Sequence, residues 1–318
     1  MNPTTAALPR IAVLLPCYNE AGAIGQVIRD CRAALPEAVI HVFDNVSTDP
    51  TAVVARAHQA RVITVPLRGK GNVVRRMFAD VEADIYLLVD GDATYDVSGA
   101  RRLIEHFVDN GLDMLVGARV EHEPDARAYR PGHRWGNRAL SSAVGQVFGG
   151  EFSDMLSGLR VFSRRYVKSF PATSRGFEIE TELTIHALEL RMPWSELPVA
   201  YFERPAGTHS KLSTFRDGWR ILRTVARLFS SERPMIFFSL VGALLAIASL
   251  VLAAPVVMGY WQTGLVPRLP TAVLSVGVML AGMLSLVCGL VLHTVTLGRQ
   301  EAKRLAYLAQ PLWRRDGP

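Results

Sequence analysis

The feature that most constrains this chain is a pair of uncharged apolar stretches near its C-terminus. "MIFFSLVGALLAIASLVLAAPVVMGYW" begins at Met235 and "TAVLSVGVMLAGMLSLVCGLVLHTVTLG" at Thr271. Each exceeds the roughly 20 apolar residues that cross a bilayer core of about 30 Å. A helix that is apolar all round has no polar face to turn to water, so both stretches are expected to be transmembrane helices. Basic residues gather on both flanks: Arg216, Arg220, Arg223, Arg227 and Arg233 before the pair, and Arg299, Lys303, Arg304, Arg314 and Arg315 after it. The loop between, Gly259 to Pro270, carries only Arg268. Cations on both flanks mark the cytoplasmic side, so a hairpin is expected with its turn outside and both termini in the cytosol.

The N-terminal "MNPTTAALPR" lacks the basic start and apolar core of a secretory signal. The residues before the hairpin are therefore expected to stay cytosolic. Cys17, Cys31 and Cys288 show no metal-ligand spacing and form no even framework, which fits a reducing compartment. The expected location is the inner (cytoplasmic) membrane, with the chain passing through it more than once.

From Ile11 onward, short β-branched runs alternate with helical patterns. "IAVLLP" precedes a helix over Ile24 to Leu35, "AVIHVFD" one over Thr51 to Gln59, "RVITVP" one from about Asn72 to Val81, and "DIYLLVD" one from about Ser98 to Asn110; "DMLVGAR" closes the series. Strands alternating with helices of this length imply an α/β fold, an open, mostly parallel sheet with helices on both faces. In such sheets ligands sit beyond the carboxyl ends of the strands. The segments there are "PCYNE", "DNVSTD", "RGKG", "DGD" and "GAR", and they should converge on one rim. No G-x-G-x-x-G or P-loop pattern follows the first strand.

Asp90 and Asp92 stand two apart at a strand end, with Gly91 between them expected to let the backbone turn. Two such carboxylates suit Mg²⁺ or Mn²⁺, completed by phosphate oxygens of a substrate; the alternative is a solvated acidic turn capping the next helix. Lys70, Arg75, Arg76 and Arg119 lie on or near the same rim, as a phosphorylated ligand would require, although Arg75 and Arg76 read equally well as solvated charges. Asp44 is placed to accept hydrogen bonds from a nucleobase or ribose, or else to cap a helix, a task that Ser47, Thr48 or Asp49 could also perform. "RGFEIETEL" adds Glu178, Glu180 and Glu182, of which Glu180 faces the site or lies on an amphipathic surface.

"LLPCYNE", "FDNVSTDPT", "LLVDGDATYD", "SGLRVFSRR" and "ERPAGTHSKL", in that order, resemble a family 2 glycosyltransferase of the A-type fold. The set is most similar to the polyprenyl-phosphate sugar synthases, the group that contains dolichol-phosphate mannose synthase and bacterial polyprenyl-phosphate glucosyltransferases. The resemblance covers about Ile11 to Leu212. It implies that Pro16, Tyr18, Glu20 and Asp44, with Lys70, hold a nucleotide, and that Asp90 and Asp92 hold the metal on its diphosphate. It implies that Arg119 and Arg138 face the sugar phosphate and lipid phosphate, and that Ser157, Arg160, Arg204, Ser210 and Lys211 serve the acceptor. Two departures stand out. The family often has Asp-Asp where this chain has Asp44-Asn45, and a Gln where it has Thr94, which puts a third protein ligand to the metal in doubt.

The function so implied is inverting, metal-dependent transfer of a sugar from a nucleotide diphosphate sugar, a UDP-sugar first, to polyprenyl phosphate at the cytosolic membrane face. Alternatives are another lipid or polysaccharide acceptor, or a non-catalytic nucleotide-binding membrane scaffold. The expected division is a catalytic domain over 1–210, an amphipathic interfacial helix over 211–233, the hairpin over 234–298 and a basic tail over 299–318. Leu212, Phe215, Trp219 and Leu222 share one face of that interfacial helix, with Arg216, Arg220 and Arg223 on another. Such a helix lies on anionic lipid or packs on the catalytic domain. The net charge of +6 suits a lipid bilayer and phosphates; no nucleic-acid partner is expected. A homo-oligomer packed through Gly242, Ala243 or Gly282 is a further expectation.

Overall fold

The computed structural model describes residues 8–121, 145, 152–176, 178–202 and 229–313. Among them, seven strands form one sheet in the order β3-β2-β1-β4-β6-β5-β7. The strands are β1 (Ile11–Cys17), β2 (Val39–Asp44), β3 (Arg61–Thr64), β4 (Ile85–Leu88), β5 (Met114–Glu121), β6 (Arg160–Ser163) and β7 (Trp194–Tyr201). The first four are parallel to one another, as are β5 and β7; β6 runs antiparallel between β4 and β5. The expected α/β fold is therefore present. Helices α1 (Ile24–Ala34), α2 (Thr51–Ala57), α3 (Lys70–Asp80) and α4 (Ala100–Asp109) follow the first four strands.

The runs that read as strands do so because both of their faces are covered. In β1, Ile11, Val13 and Leu15 join one core with Ile24, Val27 and Ile28 of α1 and with Leu103, Ile104 and Phe107 of α4. Each fully buried side chain of this size contributes about 1.5–3 kcal/mol. On the opposite face an aromatic cluster fills the space beside β6. Phe78 packs edge-on to Phe162 at 5.7 Å and to Phe170 at 5.8 Å, and Phe162 stacks on Tyr166 at 4.5 Å.

β6 and β7 escaped the sequence reading. β6 is only four residues long and opens on an arginine, yet all four are buried, and its neighbours on both sides supply the pairing that its own pattern does not announce.

The chain divides into two compact units, Met1–Ile221 with Ala302–Pro318, and Leu222–Glu301. Helices Pro234–Thr263 and Leu269–Leu308 are both long and apolar enough to cross a bilayer. Within the second unit they meet through small residues. A Cβ on Gly242 would lie 3.0 Å from the carbonyl oxygen of Gly282, and Ser249 Oγ donates to the Ser275 carbonyl at 2.7 Å. Gly242 and Gly282, expected at an oligomer contact, thus face each other inside the hairpin, while Ala243 is exposed. The interfacial helix expected over 211–233 falls mostly outside the described residues.

Candidate active site

The loops after β1 and β2 are laced together. Asn19 N donates to Ser47 Oγ at 2.9 Å, Thr48 N to Asn19 Oδ1 at 2.8 Å, Glu20 N to Thr51 Oγ1 at 2.8 Å, and Ala21 N to Asp49 Oδ2 at 3.0 Å. Asn19 and Val46 both sit at positive φ, 55° and 57°; for a β-branched residue that is a strained conformation. Asp49 receives the Thr51 N–H at 3.1 Å, and Asp44 Oδ2 the Ser47 N–H at 3.4 Å. Asp44 is buried, and its Oδ1 has no hydrogen-bond partner among the described residues. Tyr18 lies beneath the Arg68 guanidinium, 5.2 Å from ring centre to Cζ.

Asn45 explains the departure from Asp-Asp. Its Nδ2 donates to the carbonyls of Val65 at 3.0 Å and Leu67 at 2.8 Å, while its Oδ1 accepts from Gly69 N at 2.8 Å. A carboxylate could not make the two donations. The side chain ties the β2 loop to the loop that enters α3.

Asp90 and Asp92 end β4 at the rim. The left-handed residue of this turn is Ala93, with φ 56°, and not Gly91; Gly91 is required because a Cβ there would come within 2.5 Å of Cys17 Sγ. Burial pushes the Cys17 thiol well up, so it packs as a small apolar group. Asp92 is buried, and its Oδ1 accepts from Thr94 Oγ1 at 2.6 Å and Thr94 N at 3.3 Å. Thr94 therefore orients this carboxylate.

Asp90 Oδ1 is held by Lys70 Nζ at 2.6 Å, and the same ammonium reaches Glu180 Oε1 at 2.7 Å. Burial would lower the Lys70 pKa, but Asp90 and Glu180 outweigh it and raise it, so Lys70 is a fixed cation. Gly69 and Gly71 flank this lysine. A Cβ on either would overlap the backbone carbonyls of Arg175 and Ser174, so these glycines admit the segment that leads into the helix Ile179–Glu189. Arg75 fastens that segment too, donating Nε and Nη2 to the Ala172 carbonyl at 2.9 and 2.7 Å. Arg76 pairs with Asp80 at 2.6 Å on the exposed side of α3.

The S-G-L-R segment is a shelf rather than a phosphate clamp. Arg160 is fully buried, where desolvation lowers its pKa. It donates to the carbonyls of Ser157 at 3.0 Å and Met155 at 2.5 Å, and to Thr184 Oγ1 at 2.9 Å. Ser157, also fully buried, donates to the Gly117 carbonyl at 2.5 Å. Both expected acceptor contacts are buried and bonded inward, and both hold the loop that places Gly158 against Asp90. Gly158 N donates to the hydroxyl of Tyr95 at 2.7 Å.

Arg119 pairs with Asp154 through two hydrogen bonds of 2.6 and 2.7 Å and lies over the Tyr201 ring at 5.4 Å. Arg138, Arg204, Ser210 and Lys211 lie outside the described residues. Glu180, one of three glutamates the sequence left undecided, is placed beside the metal-ligand candidate through Lys70.

The donor set fits a hard divalent cation. It offers two carboxylates at a strand end, one buried and oriented, the other partly open beside a glycine. Among the described residues no cluster of three or more His, Cys, Asp or Glu side chains could hold a metal, so the remaining ligands would come from a substrate.

The sequence profile of glycosyl transferase family 2 matches residues 12–170. Glycosyltransferase AglJ of Haloferax volcanii is 32% identical over 301 residues, 94% of this chain and 98% of its own length. A dolichyl-phosphate hexose transferase of the same organism is 26% identical over 223 residues, 70% of this chain and 95% of its own. Among solved structures, glucosyl-3-phosphoglycerate synthase from Mycobacterium tuberculosis in complex with Mn²⁺ and UDP-glucose aligns with a TM-score of 0.56. That match has 23% identity over 72% of this chain and 80% of that one, a likeness of fold.

Proposed function

Because the chain belongs to glycosyl transferase family 2, we propose that this glycosyltransferase moves one sugar from a nucleotide diphosphate sugar, a UDP-sugar first, to a polyprenyl phosphate at the cytosolic membrane face. The observation that carries this reading is the Asp90–Asp92 pair at the end of β4, oriented by Thr94 and Gly158, in a chain with two helices able to cross a bilayer. The relative named dolichyl-phosphate hexose transferase supports a lipid phosphate as acceptor, and the Mn²⁺ and UDP-glucose of the solved synthase support the donor class.

Asp44 Oδ1, buried without a partner among the described residues, would gain an N–H or O–H of the nucleotide and lose the penalty of an unmatched buried acceptor. Pro16, Tyr18 and Glu20 would complete that wall. Asp90 and Asp92 would hold Mg²⁺ or Mn²⁺, which supplies charge neutralisation at the diphosphate leaving group. Arg119, held by Asp154, would face the sugar phosphate; Arg138, Arg204, Ser210 and Lys211 would hold the acceptor phosphate.

The reaction then needs no strong base. An acceptor phosphate oxygen, already anionic, forms the new bond to the anomeric carbon. The bond from that carbon to the diphosphate oxygen breaks, and its electron pair leaves with the nucleotide diphosphate. Proximity and fixed charge lower this barrier, and single displacement inverts the anomeric centre.

The test is to incubate the full-length protein in detergent with Mn²⁺, a panel of labelled nucleotide sugars and polyprenyl phosphate. An organic-extractable sugar lipid that requires Asp92 is expected. No product across the panel, or full activity in Asp92→Ala, overturns the reading.

A further inference from the structure

We propose that Glu180 is a positioning residue that takes over Lys70 when Asp90 is given up to a divalent cation. The inference rests on the function proposed above and adds a role for a residue beyond the matched span 12–170.

Lys70 Nζ stands 2.6 Å from Asp90 Oδ1 and 2.7 Å from Glu180 Oε1, so one ammonium is divided evenly between two carboxylates. Their surroundings differ. The Asp90 side chain is 26% exposed, that of Lys70 11% and that of Glu180 7%. Asp90 is the outer end of the triad and Glu180 the inner end. Glu180 Oε2 is buried with no partner among the described residues, whereas an ammonium has three donors. By settling onto both Glu180 oxygens, Lys70 would satisfy that buried acceptor and free Asp90 Oδ1.

The exchange avoids breaking a buried ion pair without a substitute, which is strongly unfavourable. Without Glu180, the ammonium would belong to Asp90 alone and compete with an incoming cation for the same oxygen. The approach is built into the backbone: Gly69 and Gly71, which flank Lys70, leave room for the Ser174 and Arg175 carbonyls just before the helix that carries Glu180.

Mn²⁺ affinity of the full-length protein in detergent, followed by the electron paramagnetic resonance of free Mn²⁺ with and without UDP, tests this. Glu180→Gln is expected to weaken Mn²⁺ binding about tenfold, the scale of a partner that orients a metal ligand, and Lys70→Met in that background to restore it. Unchanged affinity in Glu180→Gln, or a loss that Lys70→Met does not reverse, overturns the proposal. Thermal unfolding without Mn²⁺ checks each variant. Where Glu180→Gln does not fold, Glu180→Asp, which keeps the charge but draws it back from Lys70, decides: weaker Mn²⁺ binding than wild type supports the exchange, and equal or tighter binding overturns it. Wild-type protein that binds no Mn²⁺, even with UDP, overturns the metal reading as well, whereas wild-type binding indifferent to Glu180 overturns only this one.

Discussion

Gly158 lies so close to Asp90 that any β-carbon on it would overlap the Asp90 carboxylate. The contact joins the loop before β6 to the end of β4, some seventy residues earlier in the chain. Gly158→Ala is therefore expected to push Asp90 out of place. A misplacement of about 1 Å costs on the order of 10²-fold in rate, so kcat for sugar transfer should fall by about that factor with little change in unfolding temperature. A Gly158→Ala enzyme of wild-type kcat would show that Asp90 needs no fixed position.

Thr94 donates its hydroxyl to Asp92 Oδ1 at 2.6 Å. Thr94→Val removes the donor and keeps the shape, and should lower Mn²⁺ affinity about 10–100-fold. Thr94→Ser should retain it. Calorimetric titration with Mn²⁺ in the presence of UDP separates the two variants, and equal losses in both would rule out the hydroxyl as the cause.

Asn45 makes two donations that a carboxylate cannot. Asn45→Asp, which restores the residue common in the family, should here destabilise the protein by about 1–3 kcal/mol, the cost of leaving buried groups unmatched. The expected observation is a lower unfolding midpoint at pH 7 that recovers partly at low pH, where the new carboxyl is protonated and can donate once.

His186 is buried between Tyr166 and Phe170, with Ser169 Oγ 3.0 Å from its Nε2. Burial, helped by the charge of Lys303, lowers its pKa from 6.5 to about 3. The folded state then binds fewer protons than the unfolded state below pH 6.5, so stability falls as pH drops from about 6.5 towards 3. Between pH 7 and pH 5 this one group should remove about 2 kcal/mol. Chemical denaturation at the two pH values should show that loss in the wild type and a smaller one in His186→Gln.

How much could be read without the fold follows from what each residue's signal reports. β1 to β5 and the helices after the first four announced themselves because their apolar periods record burial on faces set by local geometry, and five strand ends then named the rim. β6, no shorter than β3 and β4, did not, because it enters antiparallel between β4 and β5, outside the strand–helix alternation that marked the others. Arg160 and Ser157 looked like ligand contacts because a charged or polar side chain has the same letter whether it meets solvent, substrate or its own backbone. Gly69 and Gly71 could not announce the carbonyls they make room for, because a glycine does not say which backbone approaches it.

The sequence by itself determined the α/β class, the metal-ligand candidates Asp90 and Asp92, and the two apolar helices, since each of these is written in adjacent or regularly spaced residues. Only the tertiary structure decided that Lys70 is shared between Asp90 and Glu180, that Gly158 is the floor beneath Asp90, and that Arg160 faces inward. The first two relations join residues 20 to 110 positions apart, and they exist because the sheet brings the ends of distant strands side by side. No local period can report that stacking.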